Sequence, residues 1–312
     1  MAAFTVQDIP DLTGKLFVVT GANSGTGYEA TRMLAGKGAE VIAAARNPAK
    51  MEAAIAAIRR DTPGARVRFE PLDLASLGSV AAFADRLAGE GRLIDGLINN
   101  AGVMALTKPE VSADGFELQL ATNYLGHFAL TARLLPLLRG ARTVQVSSIV
   151  HRQGRIALDD LNHRRDYKPW PVYAQSKLAM LMFALELDRR SRANGWGLTS
   201  VAAHPGYART ALIENGPLPR SRVVRAGMLG VYRPFIEPLF SGSSTEGALP
   251  IVMAAAAPGV QAGGYYGPTR LKEMKGPPGP AVIEPHAKDE AVARALWDAS
   301  VSLTGAQWGA PA

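Results

Sequence analysis

Lys15-Leu-Phe-Val-Val-Thr20-Gly21-Ala-Asn-Ser-Gly25-Thr-Gly27 is the stretch on which the architecture turns. Residues 15 to 20 carry a short, continuous apolar run that stops at a glycine, the pattern of a strand buried on both faces, as in a parallel sheet. Residues 25 to 38 read as a helix and residues 40 to 45 as a second apolar strand. A strand, a glycine loop, a helix and a strand within about thirty residues is the setting a dinucleotide-binding turn requires. Glycines let the backbone approach a pyrophosphate closely, and the start of a helix presents unpaired N–H groups to it. Gly21, Asn23, Ser24, Gly25, Thr26 and Gly27 are the expected cradle.

The end of the second strand bears on which cofactor is taken. An acid there bonds the ribose 2′-hydroxyl of NAD, whereas a base accommodates a 2′-phosphate. The chain reads Ala43-Ala44-Ala45-Arg46-Asn47, so Arg46 points to NADP(H) rather than NAD(H). The alternation then continues: helix 48 to 60, strand 66 to 70, helix 76 to 90, strand 93 to 98, helix 115 to 138 and strand 142 to 148. Such alternation implies a doubly wound parallel sheet in an α/β fold, with ligands at the carboxyl ends of its strands. Thr20, Asn99, Ser148 and the loop at His204 all fall at such ends. Asp73 and Leu74 follow the third strand, where Asp73 either meets an adenine edge or caps the next helix.

Composition narrows the class. The 312 residues lack a Ser/Gly/Pro-rich linker in the middle, which favours one large domain, 47% of them are hydrophobic, and cysteine is absent. That removes disulfide frameworks and thiolate chemistry and suits a reducing cytoplasm, the expected location. No signal sequence is evident, and the longest apolar runs, such as Ala248 to Pro258, are too short to span a bilayer. The net charge of +7 raises a nucleic-acid partner, but the basic residues come as dispersed pairs such as Arg59-Arg60 without interleaved aromatics. Anionic small ligands fit that charge better.

Tyr173-Ala-Gln-Ser-Lys177 opens a helix expected to run to about residue 190. Four residues apart, Tyr173 and Lys177 share one helix face. A nearby ammonium stabilises phenolate, so the pair is suited to exchanging a proton with a carbonyl or an alcohol.

Thr20-Gly21-x-x-x-Gly25-x-Gly27, Asn99-Asn100-Ala101-Gly102, Asn123, Ser148, Tyr173-x-x-x-Lys177 and Pro205-Gly206 occur in an order that resembles the short-chain dehydrogenase/reductase family over roughly residues 14 to 270. Asn123-Tyr-Leu-Gly-His-Phe and Tyr173-Ala-Gln-Ser-Lys-Leu resemble its retinol-dehydrogenase-like branch. The resemblance implies a Rossmann-type fold and an enzyme moving hydride between NADP(H) and an alcohol/carbonyl pair. It implies that Tyr173 is the acid/base, that Lys177 bonds the nicotinamide ribose and lowers the tyrosine pKa, and that Ser148 polarises the substrate oxygen. Asn123 would hold a water in a proton relay. Asn100, Ala101, Gly102, Pro205, Gly206 and Thr210 are carried over as cofactor contacts. Ser147 is the alternative for the serine role. Ser148 and Tyr173 stand 25 positions apart, longer than the family's commonest spacing though shared by the branch; His151 and His163 in that insertion read as structural or solvated, and His127 as packing in its helix.

Residues 211 to 245 mix apolar side chains with Arg220, Arg222 and Arg225, and in the family this region covers the substrate. That implies a lipophilic alcohol, aldehyde or ketone, unless the segment is simply packed over the core. The nearly all-round apolar run Leu178 to Leu187 is expected to find cover in a homo-oligomer. After about residue 270 an extension with a short helix near Trp297 lies over the domain. Two rival readings are a non-catalytic NADP-binding regulator, which should have lost Tyr173 or Lys177, and a basic nucleic-acid-binding protein.

Overall fold

The computed structural model describes residues 4–207 and 242–309; Thr210 and residues 211–241 of the apolar segment lie outside them. Eight strands form one sheet: β1 (Leu16–Thr20), β2 (Glu40–Ala45), β3 (Arg66–Pro71), β4 (Gly96–Asn99), β5 (Arg142–Val146), β6 (Thr199–Ala203), β7 (Tyr265–Arg270) and β8 (Lys275–Pro280). Their order is β3-β2-β1-β4-β5-β6-β7-β8. All neighbours are parallel except β7 and β8. The strand order reverses at β1, which pairs with both β2 and β4, so the crevice for a ligand opens above that junction.

Strand alternation divides the core into two layers. Phe17 and Val19 join α1 (Gly25–Ala35), α2 (Pro48–Asp61) and α7 (Ser244–Ala256) on one face. Leu16 and Val18 join α3 (Leu77–Glu90), α5 (Gly126–Leu134), α6 (Pro169–Asn194) and α8 (Glu290–Thr304) on the other. Most boundaries fall within a few residues of those read from the sequence.

Three differences have physical causes. The helix expected over 115 to 138 is composite: α4 (Leu118–Leu120), a π turn at Ala121–Leu125, then α5. A π turn inserts a residue into the helical ladder, which periodicity does not reveal. Lys275–Pro280 looks like a breaker-rich loop, yet it is β8, which pairs only with β7 at the sheet edge, where proline is tolerated. Finally, α6 begins at Pro169, which sits in the first turn, and ends at Gly195 in a left-handed conformation.

The C-terminal extension also removes the premise for self-association. Phe183 on α6 packs against Phe128 at 5.3 Å between ring centroids, and both meet Trp297 of α8 and Trp308. Arg190 lies over the Trp297 ring at 4.4 Å. The apolar helix face that suggested a second copy is covered by the chain's own tail. The paired arginines are engaged nearby: Arg189 and Arg190 both bond Glu186, at 2.8 and 2.7 Å.

Candidate active site

A cleft of about 330 Å³ lies at the carboxyl ends of β1 to β4. The loop after β1 contributes Gly21, Asn23, Ser24, Gly25 and Thr26; the end of β2 contributes Arg46; the turn after β3 contributes Asp73 and Leu74. Asn100, Ala101 and Gly102 follow β4, joined by Val103, Met104 and Leu106.

The backbone conformation explains these residue types. Gly21 has φ +68°, and a Cβ there would stand 2.9 Å from Ala101 Cα. Ser24 precedes α1 without capping it through its side chain, so the first N–H groups of that helix are left to a ligand. Gly27 does not line the cleft. A Cβ on it would lie 2.3 Å from the Gly21 carbonyl oxygen and 2.4 Å from Asn100 Nδ2, so its place is in packing the helix against the loop. Arg46 is exposed at the rim, without an ion pair or side-chain hydrogen bond among the described residues. The cap of α3 is Ser76, not Asp73; Asp73 Oδ1 instead accepts from Ala75 N–H at 3.0 Å and shapes its turn. A phosphate-bearing dinucleotide fits this donor set.

The polar residues at the ends of β4 and β5 divide into scaffold and site. Asn99 faces away from the cleft and holds Thr131 and Gln145, at 3.0 and 2.7 Å. Ser147 is likewise turned inward, donating to the Lys177 carbonyl at 2.7 Å. Ser148, the other candidate, accepts from Val150 N–H at 3.2 Å, and its hydroxyl lies on the side of the Tyr173 phenol, where it opposes the rise in that group's pKa.

Tyr173 and Lys177 are buried on α6, with the ammonium 5.9 Å from the ring centroid. Lys177 stands next to Gly102 of the cleft, where an added Cβ would come within 3.5 Å of Nζ, while Ser148, Tyr173 and Lys177 themselves do not line it. The expected depression of the tyrosine pKa is not what this arrangement produces. Burial pushes Tyr173 up to about 12, with the Ser148 hydrogen bond opposing it in part. Burial also brings Lys177 down to about 8. Desolvation is the leading cause in both groups, and Lys177 Nζ donates to the Val146 carbonyl at 3.0 Å.

Asn123 lies in the π turn and is fully buried. Its Oδ1 accepts from Val103 N–H at 2.7 Å, and its Nδ2 donates to Val103 O and Ser176 Oγ, both at 2.9 Å. The amide is therefore engaged in holding the Gly102–Val103 backbone against α6, rather than left for water. Pro205 and Gly206 also depart from expectation. They do not line the cleft; Gly206 has φ +68°, donates to His204 Nδ1, and would press a Cβ to 2.5 Å from Met274 O. Their turn packs against the β7–β8 hairpin.

The histidines are not site bases. His151 is buried, bonds Ser148 O through Nδ1 at 2.6 Å, and is pushed down to about 4 by burial. His163 is partly buried with φ 45°. Sequence reasoning missed Trp170, which stands edge-on to Tyr173 with centroids 6.2 Å apart and is 48% exposed. Proline at 169 as a first-turn residue was the signal that would have extended the helix to include it.

A family model described as short chain dehydrogenase matches residues 15–217. The chain belongs to the short-chain dehydrogenase family. Mouse polyprenol dehydrogenase is 38% identical over 311 residues, covering 96% of this chain and 87% of that protein. Mouse retinol dehydrogenase 13 is 40% identical over 300 residues, covering 94% and 85%. A crystal structure from Mycobacterium paratuberculosis superposes with a TM-score of 0.81 at 39% identity, covering 99% of this chain and all of that one. A short chain dehydrogenase from Escherichia coli CFT073 complexed with NADPH gives 0.62 at 26% identity, over 83% and 97%. This short-chain dehydrogenase is thus an oxidoreductase of the retinol-dehydrogenase-like group that uses a nicotinamide dinucleotide. No described helix is long and apolar enough to cross a membrane.

Proposed function

We propose that the enzyme interconverts a lipophilic alcohol and its aldehyde or ketone using NADP(H), with Tyr173 as the acid/base. The observation that carries this reading is Tyr173 buried on α6 with Ser148 near its phenol and Lys177 one helical turn away, the ammonium lying next to Gly102 of a cleft whose lining suits a dinucleotide. When bound, the cofactor supplies the hydride. In the reductive direction Ser148 donates to the carbonyl oxygen and Tyr173 gives it a proton. Lys177 stabilises the phenolate left behind, and Asn123 holds the Gly102–Val103 backbone beside Lys177.

Arg46 favours the 2′-phosphate of NADP(H), by charge and by its free guanidinium at the rim. A lipophilic substrate is supported by the apolar wall of Val103, Met104 and Leu106, by the half-exposed Trp170 beside Tyr173, and by the polyprenol and retinol dehydrogenases among the relatives. The test is a series of carbonyl compounds of rising chain length with NADPH, using Tyr173→Phe as the control. A rise in kcat/KM with chain length that Tyr173→Phe abolishes is expected. Turnover that survives in Tyr173→Phe removes the acid/base assignment, and a flat series removes the lipophilic one.

A further inference from the structure

His127 is fully buried between the cofactor cleft and the catalytic helix. Its Nε2 lies 2.9 Å from Thr20 Oγ1 at the end of β1, and its Nδ1 lies 3.0 Å from the Asn123 carbonyl oxygen in the π turn. Counting hydrogens assigns the ring. A carbonyl only accepts, so Nδ1 carries the proton. The Thr20 hydroxyl already accepts from Asn100 N–H and Ala101 N–H, at 2.9 and 3.0 Å, so both of its lone pairs are used. Its own hydrogen has two acceptors in reach, Ile98 O at 3.3 Å and His127 Nε2 at the shorter 2.9 Å. A protonated Nε2 would face a hydroxyl with no lone pair to offer. The ring is therefore neutral, accepting at one end and donating at the other. Burial agrees, bringing the imidazole down to about 3, with the nearby Lys177 charge adding to the effect.

What the ring joins is functional on both sides. Thr20 holds the Asn100–Ala101 backbone, and Asn100 in turn accepts from Thr26 of the glycine loop at 2.9 Å. Asn123 donates to Ser176 Oγ at 2.9 Å, and Ser176 donates to the Tyr173 carbonyl at 2.8 Å. A continuous run of hydrogen bonds thus links the cofactor cradle to the backbone that carries Tyr173, and His127 is its middle member.

We propose that His127 is a positioning residue that registers the cofactor cradle against the proton-transfer turn, acting on Thr20 through Nε2 and on Asn123 through Nδ1. It rests on the role proposed for Tyr173, but its two ends can be separated without it. Asparagine places a donor amide near the Nδ1 position and glutamine places an acceptor near the Nε2 position. His127→Asn should keep the Asn123 end and weaken NADPH binding by about fivefold or more, with the smaller effect on kcat at saturating cofactor. His127→Gln should keep NADPH binding within about twofold and lower kcat by about fivefold or more. Equal losses in both parameters for both variants would reduce His127 to a packing residue and overturn the proposal.

The wild-type enzyme gives an independent readout that needs no folded variant. In 15N-labelled protein, with the signal identified through its contacts to Thr20, Nδ1 should be protonated and Nε2 bare, unchanged between pH 8 and pH 5. A protonated Nε2 would overturn the proposal even if Tyr173→Phe is inactive as expected. Conversely, activity surviving in Tyr173→Phe would remove the catalytic reading while leaving the tautomer result standing.

Discussion

Lys177 Nζ donates to the Val146 carbonyl at 3.0 Å, bridging α6 and the end of β5. The bond aims a buried ammonium at the space beside Gly102 and keeps it within an helical turn of Tyr173. A long flexible side chain is thereby held in one orientation, which positions a charge without reorganisation during reaction.

Removing either partner should be costly in rate. Tyr173→Phe and Lys177→Met are expected to lower kcat by roughly a hundred- to ten-thousandfold, the usual contribution of a positioned acid/base. Tyr173→Phe should leave NADPH binding intact, as a fluorescence titration would show. Because burial raises Tyr173 to about 12, the hydroxyl stays protonated through neutral pH. Alcohol oxidation, which needs the phenolate, should therefore climb between pH 7 and pH 10, whereas carbonyl reduction should not. Parallel profiles in the two directions would contradict this.

Arg46→Asp replaces the free guanidinium at the end of β2 with the acid that suits a ribose hydroxyl. The expected result is an NADPH Kd raised by about tenfold or more, with NADH binding improved, measured by paired titrations. An unchanged ratio would show that the 2′-phosphate is recognised elsewhere.

Stability should fall in acid because burial lowers the pKa of His127, His151 and His204, the first two most clearly. His127 is lowered to about 3 and His151 to about 4, against 6.5 when free. Between pH 6.5 and those values the unfolded chain binds protons that the folded chain refuses, so folding weakens as pH falls. By pH 5 the loss should reach about 2 kcal/mol for each of these two histidines. Urea denaturation at pH 7 and pH 5 measures the sum, and a midpoint that does not move would show these groups accessible to protons.

Trp297 covers Phe128 and Phe183 from α8 and is 2% exposed. Trp297→Ala should destabilise the fold by about 3–5 kcal/mol, through lost burial and the cavity left behind. It should also uncover the apolar face of α5 and α6. Association of the variant, and not of the parent, in light scattering is the expected sign; two equally monodisperse samples would mean that the tail is dispensable as a cover.

The chain by itself determined the alternation of strands and helices, the parallel sheet, the glycine loop and the placing of Tyr173 and Lys177 on one helix face. Those are local properties: apolar runs of strand length, glycines at a turn, and two residues four apart on a helix. Only the tertiary structure decided what each residue faces. It turned Asn99 and Ser147 inward, assigned Gly27 to packing, engaged both ends of the Asn123 amide, and set His127 between Thr20 and the π turn. It also brought α8, more than a hundred residues along the chain, onto α6, and left the Tyr173 phenol more desolvated than stabilised. Burial and hydrogen-bond direction depend on what the rest of the chain packs against a group, and no spacing within a single segment encodes that.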